Sequence, residues 1–413
     1  MKSILNNEKI PLWARDRRER VVESRKGELG HFFFYAAFLT FGVRFLVSTS
    51  QLITERPELL NSILVVIGIS CAVAKIAMQN YTLRRLIFTV VVSAIIGYSA
   101  LISTNFIFLQ SFLLIIAMQD IKLENVVRIG FYFKLISITI HVIAYIIVYN
   151  VNPEFITFAY RAGVGDSRHQ FFMGHTNTFM AFLIWTCMDF IYLKYDKIRV
   201  LHFVAMWVIF LPFFYFTRTF TALFLLVIVS ILVAIDKGNN DFNRKALTFI
   251  AKYLYIFLAV TFALMVAMYT RLSGTLLIMW HSLDDFFTGR LWFGAFTYYD
   301  IGPTLFGRPD LPPQNVFWAG RYFDTMTIFD NYYLGNFLSY GIINAIVTAL
   351  AIFILVGKMD SKEKIMIVLY SLFGIMGSEV TNTAICFVLL VFGKYLYQDK
   401  QSVKIDVINN VVH

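Results

Sequence analysis

The chain has 413 residues, 58% of them hydrophobic, 17% aromatic and only 15% charged, with a formal net charge of +10. A soluble domain is about a quarter charged, whereas here the apolar residues gather into repeated runs near the roughly 20 residues that cross a bilayer. That excludes a soluble globular domain and gives no reason to expect a nucleic-acid partner. In chain order, residues 1–30 form a basic segment that includes Arg15, Arg17, Arg18, Arg20, Arg25 and Lys26. No small-residue cleavage site follows the first apolar run, about His31–Thr49, so it reads as a retained span rather than a removed signal peptide. Further spans are expected at about Leu59–Met78, Leu86–Leu101, Asn105–Met118, Ile129–Tyr149, Thr176–Leu193, Val200–Phe216, Thr219–Ile235, Ala246–Met268, Tyr332–Leu355, Ile365–Met376 and Val380–Tyr395, about twelve in all.

The pattern predicts an all-α polytopic membrane protein. A single transmembrane domain covers 31–396, with outer loops at 150–175 and 270–331 and a cytoplasmic tail at 397–413. With the N-terminus in the cytoplasm, alternating spans put 27 of the 36 Lys and Arg residues on the inner side, which sets both termini inside. All nine outer basic residues are arginine, although the chain holds 17 lysines. Arginine keeps its charge when partly desolvated and offers a planar two-pronged donor, so the bias points to a multi-oxygen anion such as phosphate or diphosphate.

Three polar stretches stand out. Arg161–Asn177, RAGVGDSRHQFFMGHTN, crowds charge and glycine between two apolar runs, which is unfavourable beside a bilayer unless it lines a wet cavity. Arg161 and Arg168 suit one anion; His175 and Asn177 suit either the same site or a helix cap. Arg218 sits in the short turn FTRTFT, as an anion ligand or as a side chain reaching for headgroups. The long segment Arg271–Asp330 carries Arg290 and is expected to hold a short amphipathic helix near Thr288–Tyr299, its aromatic rings suiting either a sugar surface or an interfacial belt. At its end stand Asp330 and Asn331: a carboxylate in apolar surroundings suits proton transfer, and both residues also suit a helix N-cap. Glu379 and Asn382, in GSEVTN, are weaker versions of the same case. Cys71, Cys187 and Cys386 all fall in apolar runs, and no C-x-x-C, H-E-x-x-H, phosphate-loop or G-x-S-x-G spacing occurs, so neither a metal nor a cofactor is expected.

With these residues in hand, the chain resembles the Wzy-type repeat-unit polymerases of bacterial capsule, exopolysaccharide and O-antigen assembly, which are related to O-antigen ligases. The likeness rests on R-x6-R-x6-H-T-N (Arg161, Arg168, His175, Asn177), on TGR with a downstream LFG (Thr288–Arg290, Leu305–Gly307), on FDNYYLGNFLSYGI (Phe329–Ile342), and on TRT at Thr217–Thr219. Thr176 stands where the family usually has proline, and Asp330 where ligases commonly have histidine. The resemblance implies a fold like that of the GT-C membrane glycosyltransferases and metal-independent glycosyl transfer between polyprenyl-diphosphate-linked oligosaccharides. That transfer would take place at the outer face of the bacterial cytoplasmic membrane, beside a flippase and a chain-length regulator. Asp330, His175 and Arg290 would be catalytic; Arg161, Arg168, Asn177, Arg218 and Asn331 would bind substrate. The competing expectations are a lipid-linked oligosaccharide flippase or transporter, and an O-antigen-type ligase.

Overall fold

The computed structural model describes residues 12–53, 58–156, 158–160, 167–238, 241–287, 289–309, 315–318, 321–324 and 330–397. In chain order its elements are α1 (Leu12–Thr49), α2 (Glu58–Ala77), α3 (Leu83–Ser103), α4 (Ile107–Ala117), α5 (Leu123–Val151), the hairpin β1 (Phe158–Tyr160) and β2 (Ser167–His169), and α6 (Thr176–Lys194). Then follow α7 (Val200–Thr217), α8 (Phe220–Lys237), α9 (Asp241–Met268), α10 (Gly274–Phe286), α11 (Arg290–Asp300) and the hairpin β3 (Asn315–Trp318) and β4 (Arg321–Asp324). A short α12 (Tyr332–Gly335) runs into a π-helical turn (Asn336–Tyr340), followed by α13 (Ile342–Leu355), α14 (Ser361–Phe373) and α15 (Val388–Leu396).

Eight of these helices are long and apolar enough to cross a membrane, and the chain is a multi-pass membrane protein. In seven of them only 17–33% of the most apolar window is buried, so one face packs inward and the rest meets lipid. The exception is α6, buried over 83% of its window and apolar almost all round, as a helix at the centre of a bundle must be. Around it pack α5, α7, α8 and α14.

The other four expected spans are shorter or broken. At 11, 13 and 9 residues, α4, α14 and α15 fall well short of about 20, and the stretch Tyr332–Leu355 is interrupted at Gly341. The break has a cause in the long loop. Gly341 has φ +99, and a Cβ there would lie 2.6 Å from the Leu305 carbonyl oxygen and from the Gly307 nitrogen. The LFGR segment is laid across the opening: Ile342 N donates to Thr304 O (2.9 Å), Arg308 N to Ser339 O (2.9 Å) and Arg308 Nε to Leu338 O (2.9 Å). The carbonyls and amides freed by the break are thus satisfied by loop backbone, as irregular chain at membrane depth requires.

The α14–α15 hairpin is opened in the same way between residues 374 and 387. Ser111 of α4 bonds the Thr381 carbonyl, and Lys134 Nζ reaches Ile385 O at 2.6 Å while paired with Asp189 at 2.8 Å, both side chains fully buried. In the long loop the expected amphipathic helix is present as α11, packed against α10, and the described residues also include the hairpin β3–β4. Arg44, counted among the outer arginines, clamps three helices: its Nε donates to Asn61 of α2 (3.0 Å) and its Nη1 to Gln110 of α4 (3.2 Å).

Candidate functional site

At the end of the bundle that carries both polar loops, β2, the start of α6, the α7–α8 turn, the start of α11, the start of α12 and the α14–α15 hairpin meet around one mouth. One wall is the segment Ser167–Asn177. Its strand β2 pairs antiparallel with β1, placing Arg168 opposite Ala159. From there the chain turns sharply: Phe171 and Phe172 both have positive φ (48 and 56), a rare conformation for non-glycine residues, and Gly174 (φ +72) passes 2.6 Å from the Thr49 carbonyl as measured from a would-be Cβ. Stacking of Phe171 on Phe179 and the bond from Gln51 N to Phe172 O (2.7 Å) hold this turn. His169 is part of that support, bonded to Tyr145 and ringed by Phe158 and Phe216.

The turn delivers Arg168 and His175 to the mouth. Arg168 Nε donates to Thr217 O (2.7 Å), and its Nη2 donates to Thr219 Oγ1 (3.1 Å) and Asn177 Oδ1 (3.4 Å), so the guanidinium is fixed in orientation. His175 is the N-cap of α6, its Nδ1 accepting from Asn177 N at 3.2 Å. With Nδ1 used as an acceptor, the neutral ring carries its proton on Nε2 and is a donor there. Partial enclosure at the mouth lowers the pKa of His175; the Asp330 charge opposes that shift, and Arg168 and Arg290 reinforce it. A neutral donor beside a fixed guanidinium at a helix N-terminus is suited to an anion. In this geometry the free Nε2–H of His175 is a donor to the mouth.

The second wall comes from the long loop. Arg290 opens α11, whose exposed amides are capped by Asp284 from six residues upstream: the buried Oδ1 accepts from Leu291 N (3.0 Å) and Trp292 N (3.1 Å). Thus fixed, Arg290 donates to Phe287 O (3.0 Å) and pairs with Asp330 Oδ2 at 3.0 Å. The Asp330 side chain is 47% exposed, against 14% for Arg290. Asn331 next to it is a wall residue. Its Oδ1 caps α12 through Leu334 N (2.9 Å), and its Nδ2 donates to Ile375 O (2.8 Å), so both polar atoms are engaged inside the fold. Asn177 likewise holds Arg168.

Arg218, in a left-handed turn conformation, lies exposed between α7 and α8, one residue from each of the two threonines that bind Arg168. Arg161 lies outside the described residues. Tyr332 and Tyr333 are buried among Tyr255 and Tyr370, so these rings are core packing and not a surface for sugar.

Two further features complete the mouth. Glu379, in sequence a weaker counterpart of Asp330, is carried by the α14–α15 hairpin and lies on the floor of the mouth. Enclosure pushes its carboxyl up to about 7, helped by the Asp330 charge and opposed by a bond to its own backbone and by Arg290. Beside it a cavity of about 10 Å³, room for about one water, is lined by Asn177 and Thr219, the residues that hold Arg168. The second is an apolar groove of about 430 Å³ between α5, α6 and α7, lined among others by Phe131, Leu135, Val142, Thr186, Met206 and Phe213. Phe213, at one end of it, lies one turn from Thr217 and packs on Phe171 and Phe179. The groove therefore ends directly beneath Arg168.

Compared with known proteins, the chain matches no protein-family model, no curated protein and no solved structure. Among the described residues, no group of three or more His, Cys, Asp or Glu residues is placed to hold a metal ion.

Proposed function

We propose that this protein polymerises polyprenyl-diphosphate-linked oligosaccharide repeat units by glycosyl transfer at the outer face of the bacterial cytoplasmic membrane. The observation that carries the reading is the convergence, at one mouth, of two arginine-bearing walls from stretches more than a hundred residues apart, directly above an apolar groove that faces lipid. A lipid diphosphate has that shape: a long apolar chain ending in a multi-oxygen anion. In this reading the isoprenoid lies along the α5–α6–α7 groove. Arg168, Arg290 and the His175 Nε2–H stabilise charge on the departing diphosphate, with Arg218 at its approach and Arg161 as a further anion ligand. Asp330 takes the proton from the acceptor hydroxyl. The chain makes twelve passes, with α4, α13, α14 and α15 serving as short ones, both termini inside, and flippase and chain-length regulator as neighbours.

The deciding experiment is the lipid-linked glycan profile of a cell lacking this protein. Accumulation of single lipid-linked units supports polymerisation; loss of outward-facing units means a flippase; intact polymer that is not passed to lipid A means a ligase. The sidedness has its own check. A cysteine introduced at Ser282 should be labelled by an impermeant thiol reagent in intact cells and one at Ser361 should not; the reverse overturns the orientation.

A further inference from the structure

Asp330 and Glu379 come from chain segments that are bonded to each other. Tyr332 N donates to Gly374 O (2.9 Å) and Asn331 Nδ2 to Ile375 O (2.8 Å), seating the hairpin that carries Glu379 on the turn that carries Asp330. The two carboxyls lie within electrostatic reach of each other and of Arg290. Their surroundings differ. Asp330 is half exposed and paired with a guanidinium, whereas Glu379 is partly buried and, among the described residues, makes no ion pair. The fully buried carboxylates are each held: Asp189 by Lys134, Glu363 by Lys394 and Tyr395, Asp284 by two amides. Glu379 borders the small cavity lined also by Asn177, Thr219, Phe373 and Met376.

Resting on the function proposed above, we infer that Asp330 and Glu379 act as a carboxyl pair in which Asp330 takes the proton from the acceptor hydroxyl and Glu379 receives it. As the C–O bond forms between the acceptor oxygen and the anomeric carbon, the bond from that carbon to the diphosphate oxygen breaks. Its electron pair stays on the diphosphate, and the hydroxyl proton passes to Asp330. Transfer onward to Glu379 restores the carboxylate that pairs with Arg290, and the arginine is then free of a neutral partner while it meets the next anion. Two carboxyls with divergent environments are the arrangement that assigns separate proton-holding roles; Glu379 is here a positioning and relay group that acts through Asp330.

The charged groups that act on Glu379 are Asp330 and Arg290 on the long-loop wall; across the mouth, His175 and Arg168 lie within reach of the same Asp330 and Arg290 and of each other, and Asn177 and Thr219, which hold Arg168, line the cavity beside Glu379. Because Glu379 must be ionised to receive the proton, the wild-type rate should rise with pH through about 7. The test uses reconstituted full-length protein and single lipid-linked units extracted from cells lacking it. Glu379→Gln should lose about 10²-fold in polymerisation rate at pH 8. The gap should narrow towards pH 6, where the wild-type carboxyl is itself protonated. A purely structural defect lowers the rate equally at every pH, so a constant ratio overturns the pair, as does a rise through pH 7 that persists in the variant. Should Glu379→Gln fail to fold, Glu379→Asp keeps a carboxyl one methylene short and should displace the pH limb; an unmoved limb overturns the inference. Wild-type protein that makes no polymer at any pH overturns the proposed function and this inference with it, whereas polymer with a pH-independent ratio overturns this inference alone.

Discussion

Two charged groups lie in this bundle, one at the mouth and one towards the opposite, lysine-rich end, and they are built on different principles. In the second, Lys134 is paired with Asp189 and bonded to Ile385 O, and Glu363 receives Lys394 (2.6 Å), Tyr395 (2.5 Å) and Tyr192 (3.4 Å). Those charges are enclosed and matched, and they tie α5 to α6 and α14 to α15. At the mouth the polar groups are oriented but left with a face towards the opening: Arg168 by a carbonyl, a hydroxyl and an amide oxygen, His175 by a backbone N–H, and half-exposed Asp330 by one oxygen on Arg290. Pairing inside the bundle is architecture. Charge that is oriented but left facing an opening is what a ligand can use.

Several substitutions break or sharpen this contrast. The largest effect on activity is expected from Asp330→Asn, which keeps size and loses basicity. Its polymerisation rate should fall by about 10²–10⁴ while stability moves by no more than about 1 kcal/mol, the scale of an exposed ion pair. Near-normal polymer from this variant would remove Asp330 from the chemistry. At the opposite end the signature inverts. Lys134→Met strands Asp189 in the core and should destabilise by about 3–5 kcal/mol, most of it recovered in Lys134→Met/Asp189→Leu. Thermal unfolding in detergent reads both, and a single variant as stable as wild type would erase the distinction between the two groups.

Arg168→Lys is expected to have an intermediate effect. It keeps the charge and loses the fork, so binding of lipid-linked diphosphate should weaken by the equivalent of about 1.5–3 kcal/mol. Unchanged binding would make Arg168 a strut for the α7–α8 turn. The smallest effect is on stability at Glu379. Its carboxyl is raised from the ordinary 4.5 to about 7 in the folded protein, so the folded state favours the proton. That contribution is complete below pH 4.5 and is lost as pH rises through 7. Glu379→Gln never ionises, so its melting temperature should draw ahead of wild type between pH 5 and pH 8; parallel curves would show that enclosure of Glu379 carries no electrostatic penalty.

The sequence carried the membrane class and most of the spans, because hydropathy over about 20 residues is a direct measure of what lipid tolerates. It also carried the two walls, since Arg168, His175, Arg290 and Asp330 are polar where polarity is unfavourable. The interruptions were not legible. The break at Gly341 depends on the LFGR segment arriving from thirty-odd residues earlier, and the few polar residues of Tyr332–Leu355 (Asn336, Ser339, Asn344 and Thr348) are too sparse to lower its hydropathy. Asn331 and Asn177 were read as ligands because an amide at a loop end looks the same whether it faces a substrate or a carbonyl. The all-arginine outer face was over-read in part. Arg44 and Arg308 use the same fork to clamp helices and to anchor the loop. Glu379 is legible in GSEVTN only as a weaker counterpart of Asp330, because its burial comes from α6, α8 and α14.

Much of what positions the mouth is addressed to main-chain oxygen: Arg168 to Thr217, Arg290 to Phe287, Asn331 to Ile375, Arg308 to Leu338. Every amino acid supplies that oxygen, so the acceptor positions are released from any demand on side-chain identity beyond keeping their backbone path. A lineage can therefore exchange Phe287, Leu338 or Ile375 for other apolar residues that fill the same core space while the donors stay put. Relatives would then share a handful of scattered arginines and little else, and a line-by-line comparison of letters would pass over a shared geometry.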